Sequence, residues 1–584
     1  MKFVNPAIGI GALAVFAAIG KWSDAYFTTF VFVMLVYYVM AQSWDWVGGE
    51  AGYINLGHYV FFGIGAYAFA ILLVNGYPLI ASFGFALVAA VVAAAILARP
   101  AFRLRGDYFA FATLATMPLF EILAYNLVPI TRGADGIVLP PQYVLYQAYA
   151  VVVPLAALAF LTTTRLIRSR LGYALKAIRN DEQAAEIVGV RIFPAKAKVL
   201  CLSAGFAGLA GAVQGWQLSY IDPPWAFDLS VGLVPIAMAL LGGSGLLWGP
   251  VVGVLILYVL QQVLITNITM LQATIYGALI LLIGRFMPGG LLRASFVRAI
   301  PGVRRLAYEH HERAAVNLPP PVGGIEALPL ERRAPARDQA LLECRGLTMA
   351  FGGNVAVNNV DLAIKEGEIV GLVGANGSGK TTLFNCISKV YEPVSGEIRF
   401  AGQSFTGIRR DQVSRLGVGR TYQIPRPFND LTVQENIALP LMFRGEGELD
   451  LRTALAEAAA FAAFAGLTDR LTARADALNL QQKKALEFAR ALACRPKLLL
   501  VDEVASGLTQ AEVRRFVSHI REVRDTYGIT VIWVEHIFSA LAQVVDRLVV
   551  LEQGSIIADG PLGEVVRDER VLRTYLGSAA VGVA

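Results

Sequence analysis

The eight residues Gly374-Ala375-Asn376-Gly377-Ser378-Gly379-Lys380-Thr381 carry the most specific chemistry in the sequence. They follow the apolar strand-like run Glu368–Val373, fit G-x-x-x-x-G-K-[ST] and open a helical pattern that begins Lys380-Thr381-Thr382. In such a loop the glycines let successive backbone N–H groups curl around phosphate oxygens. Lys380 reaches the terminal phosphates and Thr381 offers its hydroxyl to Mg²⁺. Farther along, the buried-strand run Leu498-Leu499-Leu500-Val501 ends in Asp502 and Glu503. Asp502 would hold Mg²⁺, directly or through water, and Glu503 is placed to polarise an attacking water. One carboxylate for metal and one for water is what phosphoanhydride hydrolysis requires. A third strand run, Thr530–Val534, leads to Glu535-His536. A histidine at the end of a parallel strand points to the ligand edge of a sheet; it either contacts a γ-phosphate or is a buried structural group. Gln423 carries little meaning in isolation.

These residues occupy only half of a chain with two physical regimes. The 584 residues have a mean hydropathy of +0.56 and 16% charged residues, but residues 1–284 hold only 25 of the 94 Asp, Glu, Lys and Arg, or 9%. Residues 285–584 hold the other 69, or 23%, close to the ordinary soluble value of about 25%. A purely soluble, collagen-like, disordered or disulfide-stapled chain is excluded. The net charge of +6 does not form one basic stripe; most of the surplus lies beside hydrophobic spans, which argues for membrane topology and against nucleic acid as a partner. Four widely spaced cysteines without a CxxC pair suit a reducing compartment and no zinc site.

A bilayer core needs about 20 apolar residues per helix. Suitable segments lie near 6–20, 27–48, 53–74, 78–99, 107–128, 144–163 and 195–217, then a long stretch at 231–262 and a span near 265–285. The first follows Lys2 and competes with a signal peptide. Gly242-Gly243-Ser244-Gly245 breaks the long stretch, and parity between two cytoplasmic segments requires two short crossings or a re-entrant pair. Two crossings give about ten spans with both termini inside. The expected inner loops carry Arg99, Arg103 and Arg105, then eight basic residues from Arg165 to Lys198, then Arg285, Arg293, Arg298, Arg304 and Arg305; the outer ones carry Asp24, Asp135, Asp222 and Asp228 with only Lys21 and Arg132 as positive charge. Ser203, Ala207, Gly208, Gly211 and Gly215 recur at a spacing that lets helix backbones approach. Glu121, well inside the fifth span, either lines a pathway or bonds a neighbouring helix. In the polar interval, Ala174, Ala177, Ile178, Ala184, Ala185, Ile187 and Val188 suit an apolar face on short helices with Arg179, Asp181 and Glu182 exposed. It reads as a solvated basic loop or as a docking helix for a soluble domain.

The expected organisation is a membrane domain at 1–300, a Pro-rich tether at 301–340 and an α/β nucleotide-binding domain at 341–584.

Together the soluble motifs resemble an ABC transporter ATPase domain with a mostly parallel sheet and a helical subdomain. The wording "RTYQIPRPFNDLTVQENI" and "VIWVEHIFSAL" is similar to the ATPase subunits of branched-chain amino acid importers. Independently, "SRLGYALKAIRNDEQAAEIVGV", "LRGDYFAFATLAT" and "LLGGSGLLWGPVVG" resemble that system's polytopic membrane subunits, so the chain looks like a fusion of permease and ATPase. The resemblance implies ATP and Mg²⁺ as ligands. It makes Phe351 the ring that stacks on adenine, Gln423 the sensor of Mg²⁺ and water, and His536 the switch histidine. It also makes 172–190, with Arg179, Asp181, Glu182, Ala185 and Gly189, the coupling helix. One departure matters. Where the family carries a signature close to LSGGQ, this chain has Leu478-Asn479-Leu480-Gln481-Gln482. Gln481 replaces a glycine at a place where a side chain obstructs approach to a γ-phosphate. In ABC dimers each ATP lies between one P-loop and the other subunit's signature, so the defect falls on the partner's ATP. The resemblance therefore implies a second ATPase with a regular signature, a second permease and an extracytoplasmic solute-binding protein, assembled in the lipid of a bacterial inner membrane with the ATPase cytoplasmic. Branched-chain amino acids lead as substrates; urea, short amides and aromatic acids remain open.

Overall fold

A computed structural model describes residues 23–140, 143–267, 278, 285–286, 289–294, 325, 328–333, 339–445, 447–535 and 538–571. The expected span at 6–20, most of that at 265–285, most of the 301–340 tether, and His536 lie outside the described residues. The chain divides into two compact units, Met1–Arg179 with Ile192–Arg313, and Asn180–Arg191 with Ala314–Ala584. Twelve residues of the polar interval thus belong structurally with the C-terminal half.

The first unit is helical. Ala25–Glu50, Leu79–Ala101, Asp107–Asn126, Leu145–Ile167, Ile192–Leu218 and Pro223–Gly242 are long and apolar enough to cross a membrane, and Tyr59–Val74 and Gly249–Gln262 are shorter apolar helices. The third expected span starts later than its composition suggests. Gly52 adopts a left-handed φ of +75°, and the Asn55 side chain accepts a bond from the Gly57 N–H at 3.1 Å, so residues 51–58 turn rather than coil. The long stretch is two helices, Leu229–Gly242 and Gly249–Asn267, separated at the glycine cluster. Small residues set the packing. On Leu79–Ala101 the buried positions are Ser82, Ala86, Ala90, Ala94 and Ala98, one per turn. A Cβ on Gly208 or Gly211 of Ile192–Leu218 would press on Ala90 or on the Phe62 carbonyl. Two short strands, β1 (Ile137–Val138) and β2 (Tyr220–Ile221), pair antiparallel between loops.

The second unit is α/β. Its antiparallel sheet has β3 (Ala340–Phe351), β4 (Asn354–Lys365), β6 (Ser395–Phe400) and β7 (Gln403–Ser404) in the order β4-β3-β6-β7. The main sheet has β5 (Ile369–Val373), β8 (Val418–Arg420), β9 (Leu498–Asp502), β10 (Thr530–Val534), β11 (Arg547–Glu552) and β12 (Ser555–Pro561) in the order β12-β11-β5-β10-β9-β8, parallel except for β12. Every residue of β5, β9 and β10 is buried, as expected of central parallel strands covered on both faces. Leu347, Val360, Leu372, Phe384, Ile398 and Val549 join both sheets and the helix Lys380–Ile387 in one core. Helices Val433–Phe443, Leu451–Phe464 and Leu480–Ala493 form the helical subdomain.

Candidate functional site

Parallel strand order brings the motif ends together. β10 lies between β5 and β9, with Val534 in register with both Leu372 and Asp502, so the loop after β5 and the ends of β9 and β10 share one sheet edge. The loop passes through Gly377 and Gly379 at φ +82° and +103° before the helix Lys380–Ile387 begins. Lys380 is buried, its Nζ donating to the Gly374 and Ala375 carbonyls at 2.8 and 2.9 Å. Burial lowers its pKa, an effect offset by the nearby Glu503 and Asp502 carboxylates. Ala375, Asn376 and Thr381 are exposed along the loop and first helical turn, Thr382 is half-buried, and Ser378 is buried.

Asp502 is 1% exposed, and burial raises its pKa against the opposing pull of Arg420. The Arg420 Nη2 donates to Asp502 Oδ2 at 3.5 Å, while its Nη1 reaches Asn385 and Ser388 on the P-loop helix. Among the described residues, Asp502 Oδ1 and Ser378 Oγ are buried polar atoms without a hydrogen-bond partner. That pair of open acceptors at the sheet edge fits a Mg²⁺–nucleotide ligand. Glu503 holds a left-handed φ of +45°, a strained state for a residue with a side chain, while its N–H donates to the Val534 carbonyl. Its Oε2 accepts from Gln423 Nε2 at 2.5 Å. Gln423 and Glu503 are therefore neighbours although 80 residues separate them.

The signature region forms a helix start. Asn479 caps Leu480–Ala493 by accepting from the Gln482 N–H at 2.8 Å, and the Gln482 side chain returns to the Asn479 N–H. Leu478 is buried, whereas Asn479, Leu480 and Gln481 are exposed. Deeper in the same helix, the buried Glu487 carboxylate accepts from the backbone N–H groups of Tyr422 at 2.9 Å and Arg426 at 2.6 Å. Arg490 donates to Glu487 at 2.9 Å and to the Arg426 carbonyl at 2.8 Å. Burial raises the Glu487 pKa and Arg490 opposes the rise. The signature helix thus grips the loop that starts at Gln423.

The segment Asn180–Arg191 packs on that loop's other end. Asp181 caps the helix Glu182–Ile187 and accepts from Arg426 Nη1 at 3.2 Å. Asn180 accepts from the Asn429 N–H at 2.9 Å, and Glu186 accepts from Arg410 at 2.8 Å. Gly189 has φ +92°, and a Cβ there would collide with the Phe443 carbonyl oxygen. Ala185 is buried and Glu182 half-buried. Asp181 is not simply exposed but ion-paired, and Arg179 faces the other way, donating to the Gly49 carbonyl within the first unit.

Phe351 is exposed at the end of β3 and packs edge-on against Tyr391, with centroids 5.0 Å apart. Glu121 is half-buried on the helix Thr116–Asn126. Sequence reasoning missed Arg420, Arg426, Glu487, Arg490 and Lys484, whose Nζ donates to the Val504 and Ser506 carbonyls after the Asp-Glu pair. The Glu487–Arg490 spacing on one helix signals an ion pair, but nothing linear places it against residues 422–426.

Residues 26–284 match the family model for the branched-chain amino acid transport system permease component, and residues 357–506 match that for ABC transporters. Among curated proteins, the high-affinity branched-chain amino acid transport ATP-binding protein LivG of Salmonella typhimurium is 35% identical over 258 residues, covering 41% of this chain and 99% of that protein. BraF of Pseudomonas aeruginosa, of the same description, is 34% identical, covering 41% and 98%. The methionine import ATP-binding protein MetN of Legionella pneumophila (strain Lens) is 32% identical, covering 38% and 66%. A solved nucleotide-free ATP-binding cassette from an ABC transporter is 25% identical, covers 41% of this chain and all of that one, and gives a TM-score of 0.37. With one half matching a permease component and the other aligning with ATP-binding relatives over nearly their whole length, the chain belongs to the ABC transporter family as a fusion of the permease and ATP-binding components of a branched-chain amino acid type system.

Proposed function

We propose that this protein is the fused permease and ATPase subunit of a binding-protein-dependent importer that moves branched-chain amino acids, or similar small polar solutes, across a bacterial inner membrane. Its enzymatic activity is ATP hydrolysis coupled to transport. The observation that carries the reading is local to the second unit. Asn180–Arg191 lies within the permease match in sequence yet packs against Arg426, on the loop whose Gln423 touches Glu503.

The residues divide the work as follows. The 374–379 loop and Lys380 bind the phosphates, with Thr382 closing the turn, and Phe351 stacks on the base. Thr381, Asp502 and Gln423 would hold Mg²⁺, which supplies charge neutralisation at the phosphate oxygens when bound. Glu503 takes the proton of the attacking water, with its carboxylate oriented by Gln423. The resemblance assigns His536 the switch role toward the γ-phosphate. Asp181, Glu182, Ala185 and Gly189 lie in the segment that passes the change to the permease, where Glu121 lines the pathway among about ten spans.

Gln481 leaves the site facing this chain's signature weak, so the functional dimer pairs it with a second ATPase of regular signature, alongside a second permease and an extracytoplasmic solute-binding protein. The test is to co-purify the complex and assay ATPase with its binding protein, after screening that protein for ligand-induced thermal stabilisation. Stimulation by the loaded binding protein supports import, efflux without stimulation supports an exporter, and absence of turnover supports an ATP-gated regulator. Hydrolysis by the chain alone at the rate of the whole complex would refute the heteromeric partner.

A further inference from the structure

Two cations flank the docking segment, and both end on the same short stretch of the membrane unit. Arg179 closes the helix Arg170–Asn180, and its Nη1 donates to the Gly49 carbonyl at 2.5 Å, at the end of the π-helical turn Trp46–Glu50. Carbonyls at a helix C-terminus lack intrahelical donors and carry partial negative charge, so a guanidinium suits them. The side chain threads a slot that only glycines leave open. A Cβ on Gly52 would lie 2.8 Å from Arg179 Cγ, and one on Gly245 would lie 2.6 Å from its Nη1. Gly245 belongs to the break between Leu229–Gly242 and Gly249–Asn267, and its N–H donates to both oxygens of the buried Asp45 at 2.9 and 3.1 Å. Beyond the other end of the segment, Lys196 is 3% exposed. Its ammonium donates to the Tyr53 hydroxyl and lies 4.1 Å from that ring's centroid, and Tyr53 packs edge-on against Phe102 and Phe109.

We propose that Arg179 and Lys196 are positioning residues that pin both ends of Asn180–Arg191 to residues 49–53, and that Arg179 carries the segment's movement to the glycine break at 243–245. A segment held at one end could swivel on its attachment; held at both, it transmits displacement. The unequal partners make the roles unequal. Arg179 touches the broken helix pair, while Lys196 is seated among aromatic rings and serves as the fixed end.

This rests on the reading of 180–191 as the link between ATPase and permease, so the experiment has one arm that needs no substrate. In the assembled complex in proteoliposomes, amide hydrogen exchange at residues 243–249 is followed with and without ATP, and leucine uptake is measured in parallel with hydrolysis. In the native complex ATP changes the exchange of 243–249. In Arg179→Gln that change is lost, and uptake per ATP falls about tenfold, within the 5–150-fold range of ordinary coupling energies, with basal hydrolysis within about twofold of native. Gly245→Ala, which displaces the guanidinium without removing charge, moves the same two readouts in the same direction, and Arg179→Lys restores part of the exchange response. Lys196→Met gives a smaller loss. An unaltered ATP response at 243–249 in Arg179→Gln and Gly245→Ala overturns the proposal, as does parallel loss of uptake and hydrolysis in both. A native complex that ignores leucine but shows the exchange response refutes the substrate assignment and leaves the pin standing.

Discussion

Several buried charges of the ATP-binding unit pair with other charged side chains, whereas three charges of the membrane unit are met by backbone groups or by a tyrosine. Arg420 pairs with Asp502, Glu487 with Arg490 and Glu503 with Gln423, where strand ends and a loop meet. Asp45, Arg179 and Lys196 instead reach a glycine N–H, a glycine carbonyl and a tyrosine ring. The contrast follows from solvent. A soluble domain surrounds its site with polar chains that can pair with one another, while the apolar helices of the membrane unit offer few, and a charge packed against them is met at helix ends and breaks. On the reading proposed above, the first arrangement serves the chemistry and the second the mechanical linkage.

That division can be broken experimentally, and the largest effect is on the chemical side. Glu503→Gln should slow hydrolysis about 10²–10⁴-fold while nucleotide still protects the domain thermally; near-native turnover would remove the chemical role from the motif. Next comes the Glu487 clamp. Glu487→Ala leaves Arg490 buried without its carboxylate and should cost about 3–5 kcal/mol, read as a fall in the denaturation midpoint of the full chain. A fall under about 1 kcal/mol would mean the loop at 422–426 does not depend on the signature helix. On the mechanical side, Gly189→Ala combines a left-handed φ with a collision at Phe443 and should weaken the docked segment by about 1–3 kcal/mol, seen as faster hydrogen exchange at 182–190. The smallest effect belongs to Asp181→Asn. Asparagine keeps the helix cap and removes only a half-exposed ion pair with Arg426, so the same assay should shift by less than about 1 kcal/mol. An Asn substitution more damaging than Gly189→Ala would place the linkage in charge rather than in close backbone fit.

The motif residues were legible because their identities are forced by local chemistry. The glycine loop, Lys380 and the Asp502–Glu503 pair each sit next to the strand that positions them, so linear order carried their geometry. The packing role of Gly208 and Gly211 was legible for the same reason, since helical spacing alone puts small residues on one face. Gln423 was not readable from its own surroundings, because its contact with Glu503 depends on β8 and β9 lying side by side. The break at 242–245 was visible as composition, yet that Asp45 satisfies the Gly245 N–H was not, with 200 residues between them. From composition alone the interval at 172–190 reads as one unit with Arg179 exposed alongside Asp181. Instead its two ends face different units, because Arg179 completes one helix before Asp181 caps the next.

The two regimes, the nucleotide chemistry, the altered signature and the family resemblance can all be read from linear order, since each rests on residue type within a short window. Which distant groups meet is a property of the fold: Glu487 with the loop after Gln423, Asp181 with Arg426, and Arg179 with the glycine slot. Those contacts are made by side chains on elements brought together by burial of apolar surface elsewhere. Their partners are backbone groups and long flexible cations, which leave no periodicity or motif of their own in the sequence.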